Sequence, residues 1–257
     1  MKKSLKLYLI FIYIITVSSI IILGYTYLDR LPLVEISFLI LSLLIVNNMS
    51  MFFNSMTEIN TSMNLPIVIV SLITLNPFWI AILSALGSIE FKLLKRNFVW
   101  YKFLFNRSVF LLAGALAGIS FNMGLSIFNT GSIPFLSILL ASIVYFITNN
   151  SLVYIVIRLA ENDVNNISLL SYFRELSKNL ITSYFIGLIL TVSYVYFGKI
   201  LFLLVIILLF IIKDFFYSRL QQLNSYTQIF ESFLKGIDSK DHYTEGDCER
   251  VANYTYH

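Results

Sequence analysis

Runs of about 20 apolar residues recur along the first 213 positions. A run of that length is what an α-helix needs to cross a hydrocarbon core of about 30 Å. Charge is correspondingly scarce. Only 12% of the 257 residues are charged and 58% are apolar, whereas a soluble domain carries about 25% charged residues. With a mean hydropathy of +0.82, there is too little polar surface to cover a water-facing globule. The expected fold is an all-α, polytopic helical membrane bundle.

The formal net charge of +4 raises the possibility of a nucleic-acid partner. Its basic residues sit at the ends of apolar runs and not on one soluble face, so the charge points to membrane topology, with no nucleic acid expected. Cys248 is the single cysteine, which excludes an intrachain disulfide. Lys2, Lys3 and Lys6 head a run from Leu5 to Leu28 that is too long and too uniformly apolar for a cleaved signal peptide. It reads as a retained first span with a cytoplasmic N-terminus.

Asp29, Arg30 and Pro32 make a short outer turn before a second run, Leu33 to Val46, with Glu35 at headgroup level near its outer end. The polar interval Asn47 to Asn64 follows. Leu65 to Ile89 carries Asn76-Pro77 at its middle, and proline there removes a backbone donor and disfavours helical angles before it. Charge decides how this run is threaded. Lys92, Lys95, Arg96, Lys102 and Arg107 follow with only Glu90 beside them. A chain that turns at Asn76-Pro77 and returns keeps that basic cluster on the cytoplasmic side. A hairpin of two short arms, tilted or re-entrant, is expected.

Ser108 to Phe128 is the next span, with Gly114 and Gly118 at the small-xxx-small spacing that lets helix backbones approach closely. Ile133 to Leu159 crosses inward with Asn149 and Asn150, amides expected to bond a neighbouring helix. Arg158 to Lys178 reads as a mixed-charge cytoplasmic interval. Leu180 to Phe197 then goes out, Gly198-Lys199 turns, and Ile200 to Ile212 returns. The sum is eight membrane segments, or six plus a re-entrant pair. Either count gives a multi-pass plasma-membrane protein whose main partner is the lipid bilayer and whose termini are both cytoplasmic.

Beyond the last run the apolar spacing changes. Phe216, Leu223, Phe230 and Ile237 recur every seven residues, with Leu220, Thr227 and Leu234 between them. Three heptads of this kind fit a coiled-coil seam, and hence a homodimer, or one amphipathic helix packed on a following domain. Either form would carry a shift or rotation out of the membrane.

The tail reads IDSKDHYTEGDCERV from Ile237 to Val251. Its Lys240-Asp241, Tyr243-Thr244, Gly246 and Glu249-Arg250-Val251 resemble the opening of an HD-GYP phosphodiesterase domain, which reads like KDxYTxGHxxRV after a heptad-like lead-in. The resemblance covers Gln222 to Val251. The order of a broken apolar hairpin, a basic loop and a small-residue helix is likewise similar to the integral-membrane sensor modules that precede such domains. Three parts follow: a membrane sensor over 1–214, a signalling helix over 215–237, and the start of an HD-GYP domain over 238–257.

The resemblance implies hydrolysis of cyclic di-GMP at a centre of two or three metal ions, iron or manganese, which activate water and stabilise the departing phosphate oxygens. This sequence departs from it twice. Asp247 stands where the family has a histidine at or near the metal centre, and neither the His-Asp pair nor the Gly-Tyr-Pro motif occurs. The two histidines are His242 and His257, and Asp241-His242 has the reversed order. The expectation is a regulatory module truncated within its catalytic domain, with no cofactor and no catalytic residue of its own. Cyclic di-GMP would be a partner only of a complete domain. The other reading is a small-solute transporter or substrate-binding membrane component, which eight apolar segments with a broken helix also suit. It has no need of the heptads or the tail register.

Overall fold

The computed structural model describes residues 3–28, 32–50, 64–89, 99–128, 133–160 and 169–240. Among these the chain is helical and without strands. The helices are α1 (Lys3–Tyr27), α2 (Leu33–Ser50), α3 (Asn64–Thr74), α4 (Pro77–Gly87), α5 (Trp100–Phe128), α6 (Phe135–Ala160) and α7 (Leu169–Lys240). Two compact units are distinguished, Met1–Ile206 and Ile207–His257.

Four stretches are long and apolar enough to cross a membrane: α1, α5, α6 and Leu180–Ile212 within α7. Three further apolar helices, Leu33–Val46, α3 and α4, are shorter. By length there are thus four candidate spans, the last interrupted at Gly198, plus shorter apolar pieces, and the expected eight segments, or six plus a re-entrant pair, are not confirmed. The reason is length: eleven-residue helices rise only about 16 Å, half a hydrocarbon core.

In the first unit α1 and α5 start at the same end. Leu5, Leu9 and Ile12 near the start of α1 form one buried cluster with Phe105, Val109 and Leu112 near the start of α5. Further along, Leu23 packs with Leu111 and Ala115. Lys3 and Lys6 are thus at the same end of the bundle as Lys102. The outward faces stay apolar: Leu7, Phe11, Ile14 and Ile21 of α1 are each more than half exposed. In water such a face would be a liability, and against lipid it is the ordinary surface of a spanning helix.

α6 folds back along α5, with Ser137 seated against Gly124. α7 then runs along α6 from its first turns. The Tyr172 ring lies 5.3 Å from Tyr154 and Phe173 lies 5.9 Å from Phe146. The mixed-charge interval Arg158 to Lys178 is therefore helical from Leu169, with Tyr172 and Phe173 packed on α6. Higher up, the Tyr184 hydroxyl donates to the Phe135 carbonyl at 3.1 Å, and Gly187 meets Ile69 of α3.

The helix breaks at Gly198, the one described glycine with positive φ (φ 78°, ψ −173°). Tyr194 and Phe202, each four residues from it, have ring centroids 5.6 Å apart. Eight residues of straight helix would separate them by about 12 Å, and side chains that all lean toward the N-terminus cannot close that gap. The chain bends sharply at Gly198.

In the second unit, the helix continues from Ile207 to Lys240. Leu223, Tyr226, Ile229, Phe230 and Phe233 are all more than half exposed there.

Candidate functional site

The two short helices at the centre of the bundle are where sequence and structure concentrate. Nine consecutive residues of α3, Asn64 to Leu72, are buried. In α4 the buried set is Pro77, Phe78, Ile80, Ala81, Leu83, Ser84, Ala85 and Gly87. A helix apolar on every side is one enclosed by other protein, and α2, α5 and α6 supply the enclosure.

Asn76 makes the break between them. Its Oδ1 accepts from the Trp79 N–H at 3.1 Å, capping α4, and its Nδ2 donates to the Tyr27 carbonyl at 2.8 Å. Pro77 takes the first helical position, where its missing N–H costs nothing. One asparagine thus starts α4 and ties the break to the end of α1.

α4 descends against α5 through the two glycines at small-xxx-small spacing. A Cβ on Gly118 would lie 2.8 Å from the Pro77 Cα, and one on Gly114 would lie 2.5 Å from the Ser84 Oγ. On the other side Gly87 receives Leu43 of α2, whose Cβ would be 2.8 Å from an added methyl.

Arg107 of α5 closes the lower end. Its Nη1 donates to the Ala85 carbonyl at 2.8 Å and to the Ser88 Oγ at 2.6 Å, and its Nη2 donates to the Ser88 carbonyl at 2.7 Å. The guanidinium lies 5.1 Å from the Phe103 ring centre. Ser88 is the C-cap of α4, so a cation sits on the partial negative charge that the unpaired carbonyls of a helix end present. Sequence reasoning counted Arg107 only as one of five topological charges. Its position inside an apolar helical run was the available signal, since charges placed there are structural or functional.

Several buried polar atoms have no hydrogen-bond partner among the described residues: Asn64 Oδ1, Trp79 Nε1, Ser137 Oγ, Tyr145 OH, Asn149 Oδ1 and Thr191 Oγ1. Tyr145 and Asn149 are one turn apart and so share a face of α6. Asn150 instead donates to the Phe146 carbonyl of its own helix at 2.8 Å. Asn150 thus turns back on its own helix instead of reaching a neighbour, and the Asn149 Oδ1 has no partner among the described residues.

Leu223 and Phe230 of the heptad series are exposed. Phe216, Leu220, Leu234 and Ile237 lie on the same helix, and their side chains are outside the described residues. Asp241, Tyr243, Thr244, Gly246, Asp247, Arg250 and Val251 also lie outside them. Among the described residues no group of three His, Cys, Asp or Glu side chains is placed to hold a metal ion. No family model, curated protein or solved structure matches this chain.

Proposed function

We propose that the chain is the membrane-embedded sensory or regulatory module of an HD-GYP-type cyclic di-GMP phosphodiesterase. In this reading it lies in the plasma membrane with both termini cytoplasmic, and the α3–α4 pair is re-entrant. The observation that carries the proposal is the register of Lys240-Asp241, Tyr243-Thr244, Gly246 and Arg250-Val251 directly after a heptad-spaced stretch. Helix α7 reaches Lys240, the first residue of that register, as a transmitting helix requires. The exposed Leu223 and Phe230 are consistent with a homodimer seam.

Catalysis is assigned to a complete HD-GYP domain and not to residues 1–257, which lack the His-Asp pair and the Gly-Tyr-Pro motif. The purified chain, supplied with manganese or iron, is expected not to hydrolyse cyclic di-GMP above background. The deciding observation is the coding sequence downstream of the His257 codon. A reading frame that continues, directly or after one frameshift, into His-Asp and then Gly-Tyr-Pro supports the proposal; one with neither motif removes it.

A second reading, a small-solute transporter or binding component, draws on the helix pair broken at Asn76 and on the buried polar atoms that have no partner among the described residues. Broken helices at mid-membrane are where transporters build their sites. Uptake of labelled solutes into proteoliposomes separates the two readings, since a sensor module moves none.

A further inference from the structure

The corner at Gly198 is held from one side by α2. Lys199 follows the corner directly, and its Nζ lies 3.5 Å from the Glu35 Oε1 and 5.6 Å from the centre of the Phe38 ring. Glu35 and Phe38 are three residues apart on one helix and therefore neighbours on its surface. The same Phe38 ring lies 6.3 Å from Tyr194, before the corner, and 5.5 Å from Phe202, after it. With Tyr194 and Phe202 at 5.6 Å, three rings close a triangle beneath the ion pair.

Crowding does not create the bend. Nothing lies within 4 Å of where a Cβ on Gly198 would stand, so glycine is there for its positive φ and not for want of space. What opposes straightening is the set of contacts to α2. These are of two physical kinds. The aromatic triangle is apolar, and Phe202 is fully buried, so salt leaves it unscreened. The Glu35 and Lys199 side chains are 41% and 35% exposed, within reach of dissolved ions.

We propose that the Glu35–Lys199 pair is a strap that holds the Gly198 corner closed, making the bend a salt-sensitive conformational device built on an aromatic pivot. The strap biases the corner and the triangle guides it, so loosening the pair opens the bend without dismantling the bundle. This inference stands apart from the phosphodiesterase reading and does not depend on it.

The test uses the full chain in lipid nanodiscs, with Cys248→Ser to remove the native thiol. Nitroxide labels are placed at Tyr196 and Leu204, exposed positions either side of the corner, and their separation is read by pulsed electron resonance. The unmodified corner gives predominantly the short distance. Glu35→Gln is expected to shift the ratio of short to long distances by about twofold to fivefold toward long, the range of an exposed ion pair. The exchanged pair Glu35→Lys with Lys199→Glu restores the short distance. Raising salt from about 0.05 M to about 1 M, where the screening length falls to about 3 Å, moves the unmodified corner toward the Glu35→Gln distribution and leaves Glu35→Gln itself unchanged. An unaltered ratio in Glu35→Gln, a failed restoration, or an equal salt response in both would overturn the strap. The salt series on the unmodified corner decides alone where a variant does not fold, because a flat response there is sufficient to reject it.

Discussion

Arg107 meets Ser88 through both ends of its guanidinium fork, Nη1 on the side-chain oxygen at 2.6 Å and Nη2 on the carbonyl at 2.7 Å. A third bond, from Nη1 to the Ala85 carbonyl, makes the side chain a clamp on the carboxyl end of α4. The clamp fixes a half-helix that is too short to span and therefore cannot anchor itself at both membrane surfaces.

Replacing Arg107 by alanine strips the last turn of α4 of three charge-assisted bonds and leaves carbonyls without partners in a buried place. The expected loss is about 2–4 kcal/mol. Arg107→Lys keeps the charge but not the planar fork, and a loss of about half that size is expected. Thermal unfolding in mild detergent, followed by helical circular dichroism, measures both. Equal stability of the alanine variant and the parent would mean that the clamp holds nothing.

Gly118 and Gly114 differ in what surrounds them. A methyl on Gly118 collides with the backbone of Pro77, which cannot rotate away, whereas one on Gly114 meets first the side chain of Ser84 and only at 3.1 Å the Ile80 carbonyl oxygen. Gly118→Ala is expected to cost about 1–3 kcal/mol, in the range of overpacked cores, and Gly114→Ala less. Combining Gly114→Ala with Ser84→Ala removes the colliding oxygen and recovers part of the loss. The order of melting temperatures checks all three, and a larger loss at Gly114 than at Gly118 contradicts the packing.

Asn76→Ala removes the cap on the Trp79 N–H and the tie to the Tyr27 carbonyl together. A cap contributes about 1 kcal/mol and a neutral bond about as much again. Asn76→Ser is expected to keep most of the cap while losing the longer reach to α1. Hydrogen exchange at the Trp79 amide separates the two roles: it accelerates in the alanine variant and stays slow in the serine variant.

The break at Asn76-Pro77, the close-packing glycines and the apolar runs were legible in the sequence because each depends on local chemistry: a missing N–H, a missing Cβ, a length in lipid. The Arg107 clamp was not, since the basic residues of 92–107 look alike until one is seen to lie against a helix end. In the sequence Glu35 stands out as a headgroup-level carboxylate and Lys199 as a turn residue. Their pairing joins α2 to the middle of α7, and no local pattern encodes a contact between residues that distant. The number of crossings has the same origin, because hydropathy registers an apolar run whether it faces lipid or is enclosed by other helices.

Cysteines at Leu223 and at Phe230, in the Cys248→Ser chain, test the seam of the exit helix. A parallel homodimer brings like positions of a heptad together, so both single-cysteine chains are expected to form crosslinked dimers in membranes, and cysteines at Asn224 and Glu231, one residue out of phase, far fewer. Absence of crosslinking at both Leu223 and Phe230 would remove the homodimer, leaving an amphipathic helix that packs on another domain.

Tyr145 provides the last prediction, in which the sign carries the information. Its ring is buried at 4% exposure, and its hydroxyl has no partner among the described residues. Burying a hydroxyl that bonds to nothing is unfavourable by about 1–3 kcal/mol, so Tyr145→Phe, which keeps the ring and deletes only the oxygen, is expected to be neutral or to raise the melting temperature. A hydroxyl that was bonded to a bound polar molecule shared with Asn149, on the same face of α6, would give the opposite sign. Destabilisation by Tyr145→Phe, matched by Asn149→Leu and not additive with it, would therefore expose an occupied polar site inside the bundle and favour the solute-binding reading over the sensor reading. A neutral or stabilising result leaves the α6 face as packing alone.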